Sequence, residues 1–335
     1  MSHIDWSSFA QLVNQHQSFL LTSHIRPDCD ALGSELGMAM ILESLGKKVR
    51  IVNGHATPDN LAFIDPDKKI ESLESGVSAQ SLLADESFDV LMILDTSAWI
   101  QLGDMAEVVR GTSAQVVIVD HHVGEDDINA LLFKNTSAEA TGRLVFEAAE
   151  ELGVKFDQPA ATALFAAIAT DTGWFRFDAS TSLTYRVIAD LMDLGASPPA
   201  IYGELYERET LGRTLLRGRA MSRVQCERAG KLAYTHVLSQ DFAETGAVST
   251  DTENLVNLML AIMGTQVAVI FVEQSTGGFK MSFRSRCSVN CSEVAATFGG
   301  GGHKAAAGAF MEGTFDEVQA TILPVVRDAM IASGE

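Results

Sequence analysis

The fold is decided by residues 19–45, which read FLLTSHIRPDCDALGSELGMAMILESL. A short apolar run, Phe19–Ser23, predicts a buried β-strand, and Ala31–Leu45 has the apolar spacing of an amphipathic helix. Between them lies a polar turn. A strand that passes through a turn into a helix is the unit from which parallel α/β sheets are built.

The alternation of strands and helices continues to about Gly195. Apolar runs predict further buried strands at Lys48–Val52, Asp89–Leu94 and Gln115–Val119. Helical spacing predicts helices at Ala138–Leu152, Pro159–Ala169 and Asp178–Gly195. Alternating elements of this kind are typical of a parallel sheet covered by helices. The predicted fold class is therefore α/β, with a parallel-sheet N-terminal domain.

A second, smaller α/β domain is predicted after a helical connector. The connector helices are predicted at Ala200–Arg208 and Leu211–Val224. The elements expected after them are strands at Leu232–Val237, Gln266–Val272 and Phe279–Arg284, a glycine run at Gly299–Gly302, and a helix at Phe315–Met330. We predict an N-terminal domain over 1–197, a connector over 198–228, and a C-terminal domain over 229–335, with a cleft between the domains.

The charge of the chain argues against a long nucleic acid as its partner. The 335 residues include 24 Lys and Arg against 44 Asp and Glu, a formal net charge of −20. A protein that binds extended DNA or RNA needs a basic surface to neutralise phosphates. We therefore expect small anionic substrates, bound where metal ions offset clustered carboxylates.

Other features of the sequence bear on its compartment. The chain has no apolar run of the about 18 residues that a membrane-spanning helix requires, and Met1–Gln17 lacks the basic and apolar regions of a signal peptide. We therefore expect a cytoplasmic protein with no membrane partner. Its 4 cysteines do not form a disulfide framework in a chain this long, and we expect them to be reduced.

The turn after the first strand concentrates side chains that bind metals. His24, Asp28 and Asp30 place one imidazole and two carboxylates within seven residues, and Pro27 restrains the turn. A helix N-cap needs only one such side chain. The alternative is that Asp28 or Asp30 caps the helix and that His24 is incidental.

Three more segments present Asp or His after an apolar element. Asp95 and the triplet Asp120-His121-His122 each follow a predicted strand, and Asp171 follows a predicted helix. Taken singly, each could be a turn or capping residue. Because the carboxyl ends of parallel strands meet at one edge of a sheet, we expect all these segments to meet there.

These side chains together predict a metal centre. Mixed carboxylate and imidazole ligands favour manganese or iron over magnesium, and no set of thiolates points to zinc. Six ligands of this kind are more than one ion needs if some of its coordination positions are to stay open for substrate. Their number fits two ions that share a carboxylate, the arrangement used for displacement at phosphorus.

The motifs, in this order, resemble those of the DHH phosphoesterase family, named for the triplet found here as Asp120-His121-His122. The run GGGGHKAAAG at 299–308 is similar to the glycine-histidine motif of the family's DHH-associated domain. Ser282–Ser285 is similar to the Arg-Ser strand that precedes it. The resemblance spans nearly the whole chain. It implies a DHH catalytic domain over 1–197 and a DHH-associated substrate-binding domain over 229–335.

The resemblance implies two sets of metal ligands. The first set comprises His24, Asp28 and Asp95. The second set comprises Asp30, Asp95, His121 and Asp171. Asp95 would bridge two manganese ions, with magnesium or another divalent ion as the alternative.

The resemblance also implies roles in catalysis and substrate binding. Asp120 would orient a histidine, and His122 would face the substrate phosphate and assist protonation of the leaving group. The implied substrate contacts are Arg284, Ser285, Gly301, Gly302 and His303. From the residues alone, the glycine run is either a flexible loop or backbone that approaches an anion closely. Arg284 is likewise open to two readings, a bidentate phosphate contact or a surface ion pair.

Within the family, the length of the chain favours the stand-alone nano-RNase group. That group implies manganese-dependent hydrolysis of short oligoribonucleotides and of 3′-phosphoadenosine 5′-phosphate (pAp) to AMP. A stand-alone phosphodiesterase for cyclic di-AMP or pApA has the same architecture and stays open, as does a non-catalytic nucleotide-binding sensor. We expect small nucleotides and very short RNA as partners, and a homodimer stays open.

Overall fold

The computed structural model describes residues 4–85 and 88–335. The chain divides into two compact units, Met1–Arg208 and Glu209–Glu335. The division falls within the segment predicted as a connector, 198–228, so that one of its two helices belongs to each unit. Among the described residues, every helix is too short or too polar to cross a lipid bilayer.

The first unit is built on a sheet of six parallel strands. The strands are β1 (Ser18–Thr22), β2 (Lys48–Asn53), β3 (Ile70–Ser72), β4 (Val90–Leu94), β5 (Gln115–Asp120) and β6 (Leu131–Lys134). The helices are α1 (Trp6–Gln15), α2 (Cys29–Ser44), α3 (Ala79–Asp85), α4 (Trp99–Leu102), α5 (Met105–Gly111), α6 (Thr141–Leu152), α7 (Gln158–Asp171), α8 (Ser182–Asp193) and α9 (Pro198–Tyr206). The predicted α/β fold class is confirmed.

The order of the strands creates a crevice in the middle of this sheet. The order is β3-β2-β1-β4-β5-β6, so the chain runs outward from β1 to one edge and then returns to the other side of β1. Leu20 of β1 pairs with Arg50 of β2 on one side and with Leu91 of β4 on the other. Ligands of open parallel sheets bind at such a reversal, beyond the carboxyl ends of the strands.

The central strands β1, β4 and β5 are apolar along most of their length because both faces of the sheet are covered. Phe19 and Leu21 face the core formed with α1, α2, α6, α7 and α8. Leu20 and Leu91 face the opposite core, formed with α3 and α5. This double burial explains why unbroken apolar runs marked the strands in the sequence.

Helix α2 is not amphipathic, and that prediction is wrong. It is buried on nearly all sides, including the positions of Gly33 and Gly37. A Cβ atom on Gly33 would lie 2.4 Å from the carbonyl oxygen of Ala163 in α7. The two helices approach closely because α2 carries glycine where they meet.

Sequence analysis did not predict α1, β3, β6 or the helices α3, α4 and α5 of the first unit. Helix α1 buries Trp6, Phe9, Leu12 and Val13 in a stretch that reads as polar. Strands β3 and β6 are short edge strands, and Leu131 of β6 is 47% exposed. Edge strands lack the two-sided burial that gives central strands their apolar signal.

The second unit is a mixed sheet in the order β11-β12-β10-β9-β8-β7, in which only β8 and β9 run parallel among the pairs of the described residues. The strands are β7 (Gln225–Glu227), β8 (Leu232–Val237), β9 (Val267–Glu273), β10 (Phe279–Ser285), β11 (Gly301–Gly302) and β12 (Ala306–Met311). The helices are α10 (Leu211–Ser222), α11 (Ser239–Thr245), α12 (Leu255–Leu260), α13 (Cys291–Ala296) and α14 (Phe315–Ala332). Helices α13 and α14 pack on one face, and α10 and α12 on the other. All four cysteines of the chain are free.

Replacing Gly33 with alanine is expected to lower the free energy of unfolding by about 1–3 kcal/mol, because the added methyl group overpacks the contact between α2 and α7. The control is Gly203→Ala in α9, where the new Cβ would meet its nearest atom at 3.8 Å. That change should be neutral or stabilising by up to about 1 kcal/mol. Urea denaturation measures both, and equal stability of the two variants would contradict the close approach.

Candidate metal centre

The turn after β1 brings three predicted ligands to the carboxyl edge of the sheet. Asp28 is the N-cap of α2, and its Oδ1 accepts hydrogen bonds from the amides of Asp30 and Ala31 at 2.9 and 3.1 Å. The capping alternative is therefore correct for Asp28. His24 is nevertheless not incidental, because its Nε2 lies 3.4 Å from Oδ2 of Asp95 and 3.9 Å from Oδ1 of Asp28.

Asp95 occupies the centre of the site. It follows β4, is 2% exposed, and has a φ of 66°, a left-handed conformation that is unfavourable for residues other than glycine. Its amide donates to the carbonyl of Val119 at 3.0 Å, and its Oδ1 accepts from the hydroxyl of Thr141 at 2.9 Å. Contacts with β5 and α6 thus hold the carboxylate where β1 and β4 end.

Asp30 is held by the N-terminus of a helix. Its two carboxylate oxygens accept hydrogen bonds from the amides of Thr141 and Gly142 at 2.7 and 2.8 Å, the first two amides of α6. The positive end of the helix dipole stabilises a buried carboxylate at this position. Glycine is needed at 142, since a Cβ there would lie 2.9 Å from Cβ of Ala167.

His121 faces three carboxylates with a nitrogen that has no hydrogen-bond partner. Its Nε2 lies 3.3 Å from Asp171, 3.6 Å from Asp95 and 3.7 Å from Asp30, and it is buried and unpaired. Its Nδ1 is 3.1 Å from the carbonyl of Ala138. Because a carbonyl only accepts, Nδ1 carries a proton, and Nε2 is the ring atom that faces the carboxylates.

A ring nitrogen that faces several carboxylates, with no hydrogen-bond partner, is stabilised when a cation lies between them. His24 repeats the pattern, with Nδ1 2.9 Å from the carbonyl of Ile25 and Nε2 directed at carboxylates. A backbone carbonyl that fixes the ring in this way is the usual support of a metal-binding histidine. The residues therefore fit a metal centre.

The ionisation of the carboxylates points the same way. Burial raises the pKa of Asp30 and Asp95 well above the usual range. The negative charge of neighbouring carboxylates raises each pKa further. Burial likewise raises the pKa of Asp171. Without a cation these groups favour the protonated form, and a bound divalent ion would favour the ionised form that serves as ligand.

Among the described residues, the structure brings the predicted site residues into three overlapping groups, within each of which the ligand atoms lie within 4.8 Å of one another, and one of these groups is Asp95, His121 and His122. A second group comprises His24, Asp28 and Asp95. The third comprises Asp30, His121 and Asp171. Asp95 belongs to the first two groups and is close to the third through His121. Asp171 is the last residue of α7, and the expectation that it lies in a loop beyond a helix ending at Ala169 is wrong.

Asp120 and His122 form a pair at the end of β5. The amide and Nδ1 of His122 lie 3.0 and 2.9 Å from Oδ1 of Asp120. The hydrogen bond to Asp120 raises the pKa of His122. Asp120 is completely buried, whereas the side chain of His122 is 55% exposed. Asp120 therefore orients the His122 ring through Nδ1, while the rest of the ring is accessible to solvent.

Lys134 is a functional candidate that the sequence did not reveal. Its ammonium group lies 3.1 Å from Oδ2 of Asp120 and 2.6 Å from the hydroxyl of Ser97, and it also donates to the carbonyl of Gly124. Burial alone would raise the pKa of Asp120, but hydrogen bonds from His122, Ser97 and Lys134 outweigh it and lower that pKa. Lys134 lies on the unpredicted edge strand β6, opposite Asp120 in register, and no local motif marks it.

A buried polar chain supports the turn that carries His24. The amide of Ser23 donates to Oδ1 of Asn53 at 2.9 Å, and Nδ2 of Asn53 donates to Oε2 of Glu35 at 2.9 Å. Burial raises the pKa of Glu35 to about 8. Asn53 ends β2 and Glu35 lies within α2, so neither residue stands in a recognisable motif.

The predicted substrate residues lie in the second unit. Arg284 on β10 donates to the carbonyl of Phe283 at 3.0 Å, and the side chain of His303 is exposed. Ser285 is 7% exposed, and its hydroxyl contacts Cys287. Gly301 and Gly302 form β11 and are exposed.

Part of the glycine run serves the hairpin itself. A Cβ on Gly300 would lie 2.2 Å from the carbonyl oxygen of Gly308, and one on Gly302 would lie 2.6 Å from that of Ala306. Gly302 also has a φ of 145°. Gly300 and Gly302 therefore pack closely against β12, and Gly301–Gly302 form a short strand within the run. Gly301 has open space at its Cβ position.

Two family models match this chain. The DHH family, N-terminal domain, matches residues 18–168, and the DHHA1 domain matches residues 230–330. The first match includes His24, Asp95 and His121, and it ends just before Asp171.

Two curated relatives share the name bifunctional oligoribonuclease and PAP phosphatase NrnA. The protein of Thermus thermophilus is 29% identical over 319 residues, which cover 94% of this chain and 90% of the relative. The protein of Bacillus subtilis is 26% identical over 302 residues, which cover 89% of this chain and 90% of the relative.

A solved structure has the same fold. It is an exopolyphosphatase-related protein from Bacteroides fragilis, with a TM-score of 0.82, 24% identity, and coverage of 98% of this chain and 97% of its own. This likeness concerns the fold alone.

Lys134→Met is expected to lower the free energy of unfolding by about 1.5–3 kcal/mol, because the buried Asp120 carboxylate loses one charge-assisted hydrogen bond and keeps those from His122 and Ser97. The same change in an Asp120→Asn background should cost much less, since the buried carboxylate is then absent. Lys48→Met, at an exposed position of β2, should change stability by less than about 0.5 kcal/mol. Urea denaturation of the wild type, the three single variants and the double variant tests this, and an equal loss in both backgrounds would refute the ion pair.

Proposed function

This chain belongs to the DHH family, and on that premise we propose that it is a metal-dependent phosphoesterase that hydrolyses short oligoribonucleotides and pAp. The observation that carries the proposal is the unpaired Nε2 of His121, which faces Asp30, Asp95 and Asp171. The matched relatives named oligoribonuclease and PAP phosphatase support the choice of substrates.

The proposed centre holds two divalent ions. His24, Asp28 and Asp95 would bind one, and Asp30, Asp95, His121 and Asp171 the other. The mixture of imidazole and carboxylate ligands suits manganese best, and magnesium is the alternative. When bound, such a pair supplies Lewis-acid polarisation of the phosphoryl oxygens and a strong nucleophile from water at neutral pH.

Side chains of the protein would protonate the leaving group. Asp120 fixes the His122 ring through Nδ1, so that Nε2 is the atom free to reach substrate. With its pKa raised by Asp120, His122 holds a proton there, which it would transfer to the leaving oxygen. Lys134 and Ser97 hold Asp120 in place from behind.

The second unit would supply the contacts to substrate. Arg284 and His303 are the proposed charged and polar contacts to phosphate, with the backbone of Gly301 and Gly302 beside them. Ser285 has the weakest support, because its buried hydroxyl already contacts Cys287. Its proposed role rests on the family resemblance.

The function is tested with a panel of substrates in the presence of manganese. We expect turnover of pAp and of RNAs from dinucleotide to pentanucleotide, and much lower catalytic efficiency on long single-stranded RNA, which the net charge of −20 repels. Preferred turnover of pApA or cyclic di-AMP would favour the alternative phosphodiesterase. Tight nucleotide binding without turnover of any substrate would indicate a sensor.

The roles of the two units are tested by comparing metal content with kinetics. Asp95→Ala is expected to lose bound manganese and to reduce kcat more than any other single ligand change, because the bridge positions both ions. Asp59→Ala, at an exposed position outside the site, serves as the control. Full turnover of a folded Asp95→Ala protein, or of the wild type in excess chelator, would refute the proposed centre.

Arg284→Ala and His303→Ala are expected to keep their metal but to lose catalytic efficiency about ten- to a hundredfold, the effect of one charge-assisted contact. Much of that loss should appear in KM if the contact is equally strong before and during reaction. Elemental analysis beside steady-state kinetics separates the two classes. Loss of a metal ion from His303→Ala would contradict its assignment to substrate.

A further inference from the structure

A cluster of aromatic rings next to the metal centre has no role in the function proposed above. It comprises Trp174, Tyr202 and Tyr206, which we call the aromatic patch. The ring centroids lie 5.1 Å apart for Trp174 and Tyr202, 5.7 Å for Trp174 and Tyr206, and 4.9 Å for the two tyrosines. All three residues belong to the first unit.

The patch is held in place by an unusual turn at the end of α7. Gly173, Trp174 and Phe175 have φ values of 57°, 59° and 63°, so two bulky residues adopt a left-handed conformation. The amide of Trp174 donates to the carbonyl of Ala169 at 2.6 Å, which folds the turn back onto the helix end. Backbone strain at bulky residues is typical of functional sites.

The location of the patch connects it with the ligand cluster. Trp174 follows Asp171, the last residue of α7, by three positions. Tyr202 and Tyr206 lie on α9, which contacts α7. The patch therefore lies beside the end of α7, where Asp171 stands.

Packing of the core does not account for the whole patch. Trp174 and Phe175 pack on Phe165 and on the core of the first unit. Tyr202 and Tyr206, in contrast, are 40% and 47% exposed. Two neighbouring exposed tyrosines present ring surface that the fold itself does not use.

A cation completes the set of groups at this location. Arg176 donates its Nε–H to the carbonyl of Gly173 at 2.6 Å, in the same turn as Trp174. Aromatic rings beside a guanidinium group are the features with which proteins bind nucleobases without regard to sequence. Because the chain as a whole is strongly acidic, these rings and this cation beside the candidate metal centre favour binding of the base of a nucleotide.

We propose that the aromatic patch is a stacking site for the base of the nucleotide whose phosphate ester lies at the metal centre. This inference rests on the proposed function and specifies how its substrate is held. Stacking on tyrosine tolerates all four bases, as an enzyme for mixed short RNA requires. It would also favour nucleotides over simple phosphate esters.

The test compares a substrate that has a base with one that lacks it. For Tyr206→Leu and Tyr202→Leu, KM for pAp is expected to rise about five- to a hundredfold, the range for loss of one stacking ring. KM for ribose 3,5-bisphosphate, which has no adenine, should change less than about twofold. Tyr206→Phe keeps the ring and should behave as wild type on both compounds.

The matched control is Tyr185→Leu, an equally exposed tyrosine of α8 that contacts Phe175 but not the patch. Its KM values should stay those of the wild type, and thermal melting shows that each variant is folded. Equal effects on the two compounds, or none on either, would overturn the stacking site. A changed oligomeric state with unchanged KM would assign the patch to a second copy of the chain and would also overturn it.

A failure of the proposed function would be visible separately. If wild-type protein hydrolyses neither compound, that function is wrong, and calorimetric binding of AMP against ribose 5-phosphate still tests the patch. Stronger binding of AMP that Tyr206→Leu abolishes would support the stacking site. Equal binding of the two ligands would refute it.

Discussion

The pairing of β1 with β4 is the constraint on which the rest of the first unit depends. These two strands are far apart in sequence, yet they lie side by side in parallel register, with Leu21 beside Met92. The pairing makes the turn after β1 and the residue after β4 neighbours at one edge of the sheet. His24 and Asp95 meet only because of it. Burial of both faces supplies the stability, since β1 and β4 lie between two apolar cores.

The site formed at this edge is electrostatically unfavourable by itself. Asp30 and Asp95 are almost fully buried and close to one another, and burial raises the pKa of both. The protein offsets part of this cost with the first amides of α6, which bind Asp30, and with the hydroxyl of Thr141, which binds Asp95. The part that remains is best offset by cations. A fold that concentrates negative charge in this way is preorganised to bind metal.

Around these carboxylates lies a layer of supporting contacts that involve no predicted ligand. Lys134 and Ser97 hold Asp120, which in turn orients His122. Asn53 and Glu35 hold the backbone at the start of the polar turn. Such contacts determine how accurately a site is built, because the side chains that touch a substrate or metal are themselves flexible.

The sequence by itself determined the central strands, the order of the motifs and the residue types of the candidate metal centre. An unbroken apolar run indicates a strand that is buried on both faces, and an Asp or His directly after it indicates the carboxyl edge of the sheet. Both signals are local in the sequence. The tertiary structure alone decided the edge strands, the burial of α2, and the roles of Lys134 and Glu35. Lys134 acquires its role because β6 pairs with β5, and Glu35 because α2 packs beside the end of β2. Contacts of this kind join residues that are distant in sequence, and no local pattern records them, because each side chain is ordinary until the fold places a partner beside it.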